Sequence, residues 1–118
     1  MGDKDSRPWG CWEVLVVSPR LVVKKMTVNA GERLSLQRHH FRSERWIMLE
    51  GKALVQRENE QMMLCPGDGV MIPCLSSHRL SNESDKPVTV LEIQFGDLLS
   101  EDDIERFEDD YGRHEEGR

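Results

Sequence analysis

Four side chains carry the strongest chemical signal in this sequence: Gln37, His39, Glu44 and His78. Gln37 and His39 lie two residues apart, so on one strand they share a face, and Glu44 can return on the next strand to meet them. His78 follows a turn containing Pro73 and opens a strand of its own. Two imidazoles, a carboxylate and an amide oxygen form a mixed nitrogen and oxygen donor set. Such a set suits zinc, manganese, cobalt, nickel or iron and leaves coordination positions for water or substrate. Singly, each residue is as readily an ordinary strand residue; their joint spacing points to one divalent metal. Gln37 stays open between ligand and hydrogen-bonding neighbour of the ligands, because a neutral amide is a weak donor to a metal. His40, next to His39 on a strand, must face the other way.

Strands must position these groups. Short apolar and β-branched runs recur between Gly, Pro, Asn and Asp punctuation, the pattern of an antiparallel sandwich or barrel. Nine strands are expected, near Glu13 to Val17, Leu21 to Val28, Arg33 to Leu36, Trp46 to Leu49, Lys52 to Arg57, Gln61 to Leu64, Gly69 to Ile72, His78 to Ser81 and Val88 to Phe95. The tail reads differently. Ser100 before Glu101, Asp102 and Asp103 resembles a helix N-cap with an acidic first turn, and Ile104, Phe107 and Tyr111 fall at i, i+3, i+7. A short amphipathic helix over about residues 101–110 is predicted, laying Ile104 and Phe107 on the barrel and bringing Arg113 back toward its mouth. Trp9 is expected to cap the barrel, and Met26, Met48, Met62, Met63 and Met71 to fill its core.

The whole chain has 118 residues, 37% hydrophobic and 32% charged, with a net charge of -6. That length sustains one core, so one domain over residues 1–118 is expected. The acidic balance, with no basic cluster interleaved with aromatics, argues against a nucleic-acid partner. No apolar run approaches the roughly 20 residues of a membrane span, and Met1 to Asp5 hold no signal-peptide core, so a cytoplasmic protein with no membrane partner is expected. Three cysteines without C-x-x-C spacing read as ordinary reduced residues, Cys74 lying near the pocket rim.

The two spacings Gly31-x5-Gln37-x-His39-x4-Glu44-x6-Gly51 and Gly67-x5-Pro73-x-Leu75-x2-His78-x3-Asn82 resemble the paired motifs of the cupin superfamily. Gln37 stands where the first His is usual and Leu75 where a Gly is usual. The Gln-His-Glu-His set resembles that of mannose-6-phosphate isomerases. Closer still is the type II isomerase domain, usually the C-terminal part of bifunctional enzymes with mannose-1-phosphate guanylyltransferase activity. Arg7-Pro8-Trp9-Gly10 resembles that domain's R-P-W-G, Leu34-Ser35-Leu36-Gln37 with His39-His40 its L-S-L-Q-x-H-H, and Glu101 to Ile104 with Tyr111-Gly112-Arg113 its E-D-D-I and Y-G-R. Phe41 and Arg45 depart from histidines common in the family.

The resemblance implies an all-β, cupin-type double-stranded β-helix (jelly-roll) barrel with a short C-terminal helix, motif 1 at 31–51, motif 2 at 67–82, and a homodimer paired through sheet edges. It implies a sugar-phosphate partner and interconversion of mannose 6-phosphate and fructose 6-phosphate, with a divalent metal held by Gln37, His39, Glu44 and His78. An aldose phosphate needs a cationic anchor, for which Arg7, Arg106 and Arg113 are candidates, Arg106 being equally a solvated residue among its acidic neighbours. Lys24 is a candidate for holding substrate or moving a proton, against the alternative of a snorkelling surface lysine. No phosphate loop of the G-x-G-x-x-R kind precedes Arg7, so guanylyltransferase activity is not expected. The alternatives are a sugar-binding cupin without turnover and a metal-dependent dioxygenase.

Overall fold

The computed structural model describes residues 4–113 and folds them as strands in two antiparallel sheets. One sheet has the order β1-β2-β3-β10-β5-β8: β1 (Lys4–Arg7), β2 (Gly10–Ser18), β3 (Leu21–Val28), β10 (Val88–Gly96), β5 (Arg42–Glu50) and β8 (Gly69–Ile72). The other has the order β11-β4-β9-β6-β7: β11 (Glu105–Glu108), β4 (Leu36–Arg38), β9 (His78–Ser81), β6 (Ala53–Arg57) and β7 (Glu60–Leu64). Beside the hairpins β1-β2-β3 and β6-β7, the other neighbours come from distant parts of the chain, as in a jelly roll. Among the described residues no helix is long and apolar enough to cross a membrane.

The alternation of side chains builds an interior of two characters. On β10, Val88, Val90, Glu92 and Gln94 are buried; on β5, Met48, Trp46, Glu44 and Arg42; on β3, Val28, Met26 and Lys24. The register stacks them in layers. Val88 lies opposite Val28, Val90 opposite Met26 and Met48, Glu92 opposite Lys24 and Trp46, and Gln94 opposite Glu44. One end of the barrel is therefore an apolar core and the other a polar chamber. Leu34, Ala53, Val55, Leu64, Val70, Ile72 and Leu80 complete the apolar end, where burial at roughly 25 cal/mol per Å² supplies the driving force.

Trp9 is buried at the tip of the β1–β2 hairpin, and its carbonyl accepts the Asn29 N–H at 2.9 Å. Gly10 follows because a Cβ there would stand 1.9 Å from the Thr27 carbonyl oxygen of β3; only glycine permits that approach.

The tail departs from expectation. The predicted helix over 101–110 is absent: residues 101–102 form a turn, 103–104 are irregular, and Glu105–Glu108 pair with β4 as β11. In a helix, Glu101, Glu105 and Asp109 would be like charges at i, i+4. As a strand, Glu105 instead meets Arg38, Nε to Oε1 2.8 Å, and the free edge of β4 gains a partner. Phe107 is consequently exposed, over Arg38, rather than laid on the barrel. Met63 is exposed on the edge strand β7 and fills no core. Arg33 makes only an isolated bridge to Ser81, the strand starting later, at Leu36.

Candidate metal centre

His39, immediately after β4, and His78, the first residue of β9, come from one sheet, while Glu44 on β5 comes from the other, so the three meet between the sheets. All are buried, and their donor atoms lie within 4.8 Å of one another. His39 Nε2 stands 3.2 Å from Glu44 Oε2 and His78 Nε2 3.7 Å from Glu44 Oε1. Donors about 2.1 Å from one ion at tetrahedral or octahedral angles are themselves roughly 3.0 to 3.5 Å apart, so this spacing is close to a ligand set.

The hydrogen bonds around the rings point the same way. His39 Nδ1 lies 2.7 Å from the Asp103 carbonyl and His78 Nδ1 2.9 Å from the Ser76 carbonyl. A carbonyl only accepts, so each Nδ1 carries the proton and each Nε2 faces the cluster with its lone pair when the ring is neutral. His78 Nε2 and Glu44 Oε1 are buried with no hydrogen-bond partner. Such groups are costly to leave unpaired; a divalent ion would satisfy both. The residues present fit a metal.

Electrostatics supports the donor set. Burial, strengthened by the His39 and Arg42 charges, pushes the His78 imidazole down to about 4, against the pull of Glu44, so it is neutral at pH 7. Burial alone would raise the Glu44 carboxyl, but His39 and Arg42 outweigh it and hold it well below the usual carboxylate range. For His39, burial lowers the imidazole and the neighbouring Glu44 charge raises it, with a net upward shift.

A cavity of about 120 Å³ opens beside the cluster, lined in part by Gln37, His39, Arg42, Glu92, Gln94 and Glu101. Arg7, Arg106 and Arg113 also line it, so the structure brings all three predicted anchors to one cavity. Gln37 faces His78 across the β4–β9 register, with its Oε1 3.2 Å from Ser35 Oγ. Asp109 grips Arg113 by the backbone N–H at 2.7 Å, Nε at 2.7 Å and Nη2 at 3.1 Å. Lys24 does not line the cavity; it is buried behind the wall and paired with Glu101. His40 is exposed, its Nε2 3.1 Å from Glu105 Oε1.

Three comparisons fix the kinship. The model of the family described as mannose-6-phosphate isomerase C-terminal matches residues 2–109. The chain belongs to that family, and its barrel is a cupin. It is 45% identical over 107 residues to the xanthan biosynthesis protein XanB of Xanthomonas campestris pv. campestris, covering 91% of this chain and 23% of that protein. A mannose-1-phosphate guanylyltransferase of Klebsiella pneumoniae is 43% identical over 107 residues, with 91% and 23% covered. The chain thus spans less than a quarter of the length of these relatives. A solved double-stranded β-helix protein from Klebsiella pneumoniae has the same fold, with a TM-score of 0.75 at 16% identity over 88% of this chain and 89% of that one.

Three residues of the chamber were not singled out from the sequence: Arg42, Glu92 and Gln94. Arg42 donates from Nε to Glu44 Oε2 at 2.8 Å and from Nη1 to the Ser100 carbonyl at 3.1 Å. Glu92 accepts from Trp46 Nε1 at 3.1 Å and from Gln94 Nε2 at 2.8 Å. Burial, with the Glu44 charge adding to it, raises the Glu92 carboxyl to about 7. Their signal was present, as a polar residue at the inward phase of an otherwise apolar alternation.

Proposed function

We propose that this cupin domain is a metal-dependent isomerase interconverting mannose 6-phosphate and fructose 6-phosphate, with His39, Glu44 and His78 holding the metal and Gln37 beside them. The observation that carries this reading is the convergence of unpartnered His78 Nε2 and Glu44 Oε1 beside a cavity walled by arginines. A bound divalent ion supplies a Lewis acid that stabilises the oxyanion of the enediol through which C1 and C2 exchange a proton. Zinc, manganese, cobalt, nickel and iron all suit the donor set.

The chain's own residues supply the rest. Arg42 orients Glu44 through its Nε–H. Arg113, with Nε and one Nη held by Asp109, lines the cavity together with Arg106 and Arg7, and the three put positive charge where an anionic substrate would sit. The proton must pass through a group in the cavity wall. Glu92 lines it with both oxygens held by hydrogen bonds, a carboxyl placed in the wall to take and return a proton. Lys24 lies behind that wall and is better placed to support a bound anion. The homodimer expected from the family also belongs to this reading, and light scattering in solution tests it.

The experiment is a coupled assay of the purified protein with mannose 6-phosphate and added manganese, cobalt or zinc, beside metal analysis. Turnover that chelation stops is expected, with one ion per chain lost in His39→Ala and His78→Ala. Tight sugar-phosphate binding without turnover under every metal would assign the domain to sugar binding instead.

A further inference from the structure

A cation lies behind the cavity wall with an anion drawn from the surface. Lys24 on β3 is only 2% exposed. Its Nζ stands 3.5 Å from the centroid of the Trp12 ring and pairs with the Glu101 carboxylate. Trp12 and Glu101 both line the cavity while Lys24 does not, so these two side chains screen the ammonium from it. The Arg7 guanidinium carbon lies 4.0 Å from the centroid of the same ring. Two cations thus contact one indole that lines the cavity, held by its quadrupole.

A buried ammonium needs an anion, since its desolvation is otherwise uncompensated. The anion here is unusual in its freedom. The Glu101 side chain is 55% exposed, on a turn between β10 and β11. The pair of Arg113, which lines the cavity, with Asp109 has the opposite design: the Asp109 side chain is 0% exposed and makes three contacts to Arg113. Arg113 keeps a fixed internal partner, whereas Lys24 has a partner that can leave toward solvent.

We propose that Lys24, with Arg7 and Trp12, forms the subsite for the phosphate of a phosphomonoester, and that Glu101 is the internal stand-in which the phosphate displaces. This rests on the sugar-phosphate reading above and assigns the anchor within it. Exchange of one anion for another keeps Lys24 paired throughout. A phosphate carries up to two charges and three acceptor oxygens against the single charge of Glu101, so it wins the exchange. A neutral sugar offers nothing to Lys24 and leaves Glu101 in place. The competition itself therefore rejects unphosphorylated sugars.

Isothermal titration of the full chain with inorganic phosphate, mannose 6-phosphate and mannose tests this. Glu101→Gln removes the internal anion and keeps the shape, so it should bind inorganic phosphate about tenfold more tightly than the wild type. In the double variant Glu101→Gln with Lys24→Met the gain should vanish, while Lys24→Arg with Glu101→Gln, which keeps a cation, should retain most of it. Mannose affinity should be the same in all. Thermal melting checks that each variant is folded, and the comparison of wild type with Glu101→Gln decides the matter if Lys24→Met does not fold. Equal or weaker phosphate binding by Glu101→Gln, or a gain that survives without Lys24, overturns the proposal. Inorganic phosphate is indifferent to isomerase chemistry. A tighter Glu101→Gln in a protein that never turns over mannose 6-phosphate would sink the isomerase reading and leave the subsite, and the reverse pattern would do the opposite.

Discussion

At Leu75 the backbone has φ 71°, a left-handed conformation that a β-carbon opposes, in a turn closed by the Ser76 N–H to the Pro73 carbonyl at 3.0 Å. The turn matters to the site because the Leu75 N–H bonds the His39 carbonyl at 2.9 Å and the Cys74 N–H bonds Ser43 Oγ at 2.9 Å. It also delivers His78 three residues later. Glycine is usual at this motif position for that conformational reason, and the Leu75 side chain, half in solvent, gains little burial in return. Leu75→Gly should therefore stabilise the protein by about 1 kcal/mol, the left-handed penalty outweighing the extra chain entropy of glycine. Denaturant titration measures it, and a loss of stability would mean that the Leu75 side chain packs more productively than its exposure indicates. Asp103 shows the same economy at the first histidine. Its carbonyl accepts the His39 Nδ1–H hydrogen bond while its carboxylate accepts the His40 N–H at 2.8 Å and the Phe41 N–H at 3.0 Å, so one residue fixes both the ring and the backbone that carries it.

Among the elements, β11 and the segment around it form a strap across the polar end of the barrel. It is tied by side-chain pairs more than by apolar burial: Arg38 to Glu105, Arg33 to Asp110, Arg79 to Glu108, and Tyr111 to Glu32. Most of these are exposed and individually worth little. Arg79 differs. It is buried on β9 and donates to the Leu34 carbonyl at 2.9 Å, to Glu108 Oε1 at 3.0 Å and to the Glu108 carbonyl at 3.2 Å, joining β9, the approach to β4, and β11. Arg79→Met should cost about 2 to 3 kcal/mol by stranding these acceptors. Hydrogen exchange should show protection lost in residues 105–109 ahead of the rest, with Arg79→Lys recovering part of it. Unchanged protection of β11 would mean that the strand pairing with β4 suffices. The element also explains how Arg106 and Arg113 reach the cavity: they ride on a strap that Arg79 and Asp109 hold against the barrel.

Across the whole molecule, the polar chamber sets an acid-base balance on stability. Burial holds the His78 imidazole at about 4 in the fold against 6.5 for an ordinary imidazole. The unfolded chain then takes up a proton that the fold refuses, so this residue's contribution is full above pH 6.5 and is lost as pH falls toward 4. Glu92, raised by burial to about 7, acts with the opposite sign: it favours the fold below pH 4.5, and that contribution is lost as pH rises through 7. The two oppose each other, so the wild-type profile alone is ambiguous and difference profiles are required. With chelator present, the stability difference between wild type and His78→Asn should grow by about 3 kcal/mol between pH 4 and 6.5, in favour of the wild type. Denaturation at a series of pH values reads it, and parallel curves would refute a neutral buried His78.

Much of this was legible in the sequence. Alternation and turn chemistry marked most of the strands, because a half-buried strand writes its two faces into the chain at period two. The motif spacings marked His39, Glu44 and His78, which come from both sheets and meet only between them. The tail was not legible. Ile104, Phe107 and Tyr111 have helical spacing, yet the edge of β4 and the guanidinium of Arg38 made a strand the better partner, and both are distant in sequence. Nor was the meeting of Lys24 with Glu101, 77 residues apart, or the enclosure of Arg42 and Glu92 in one chamber. Local pattern determines which face of each strand turns inward. Which inward polar groups then meet, and so which charges must share a buried space, is decided only when the two sheets close on one another.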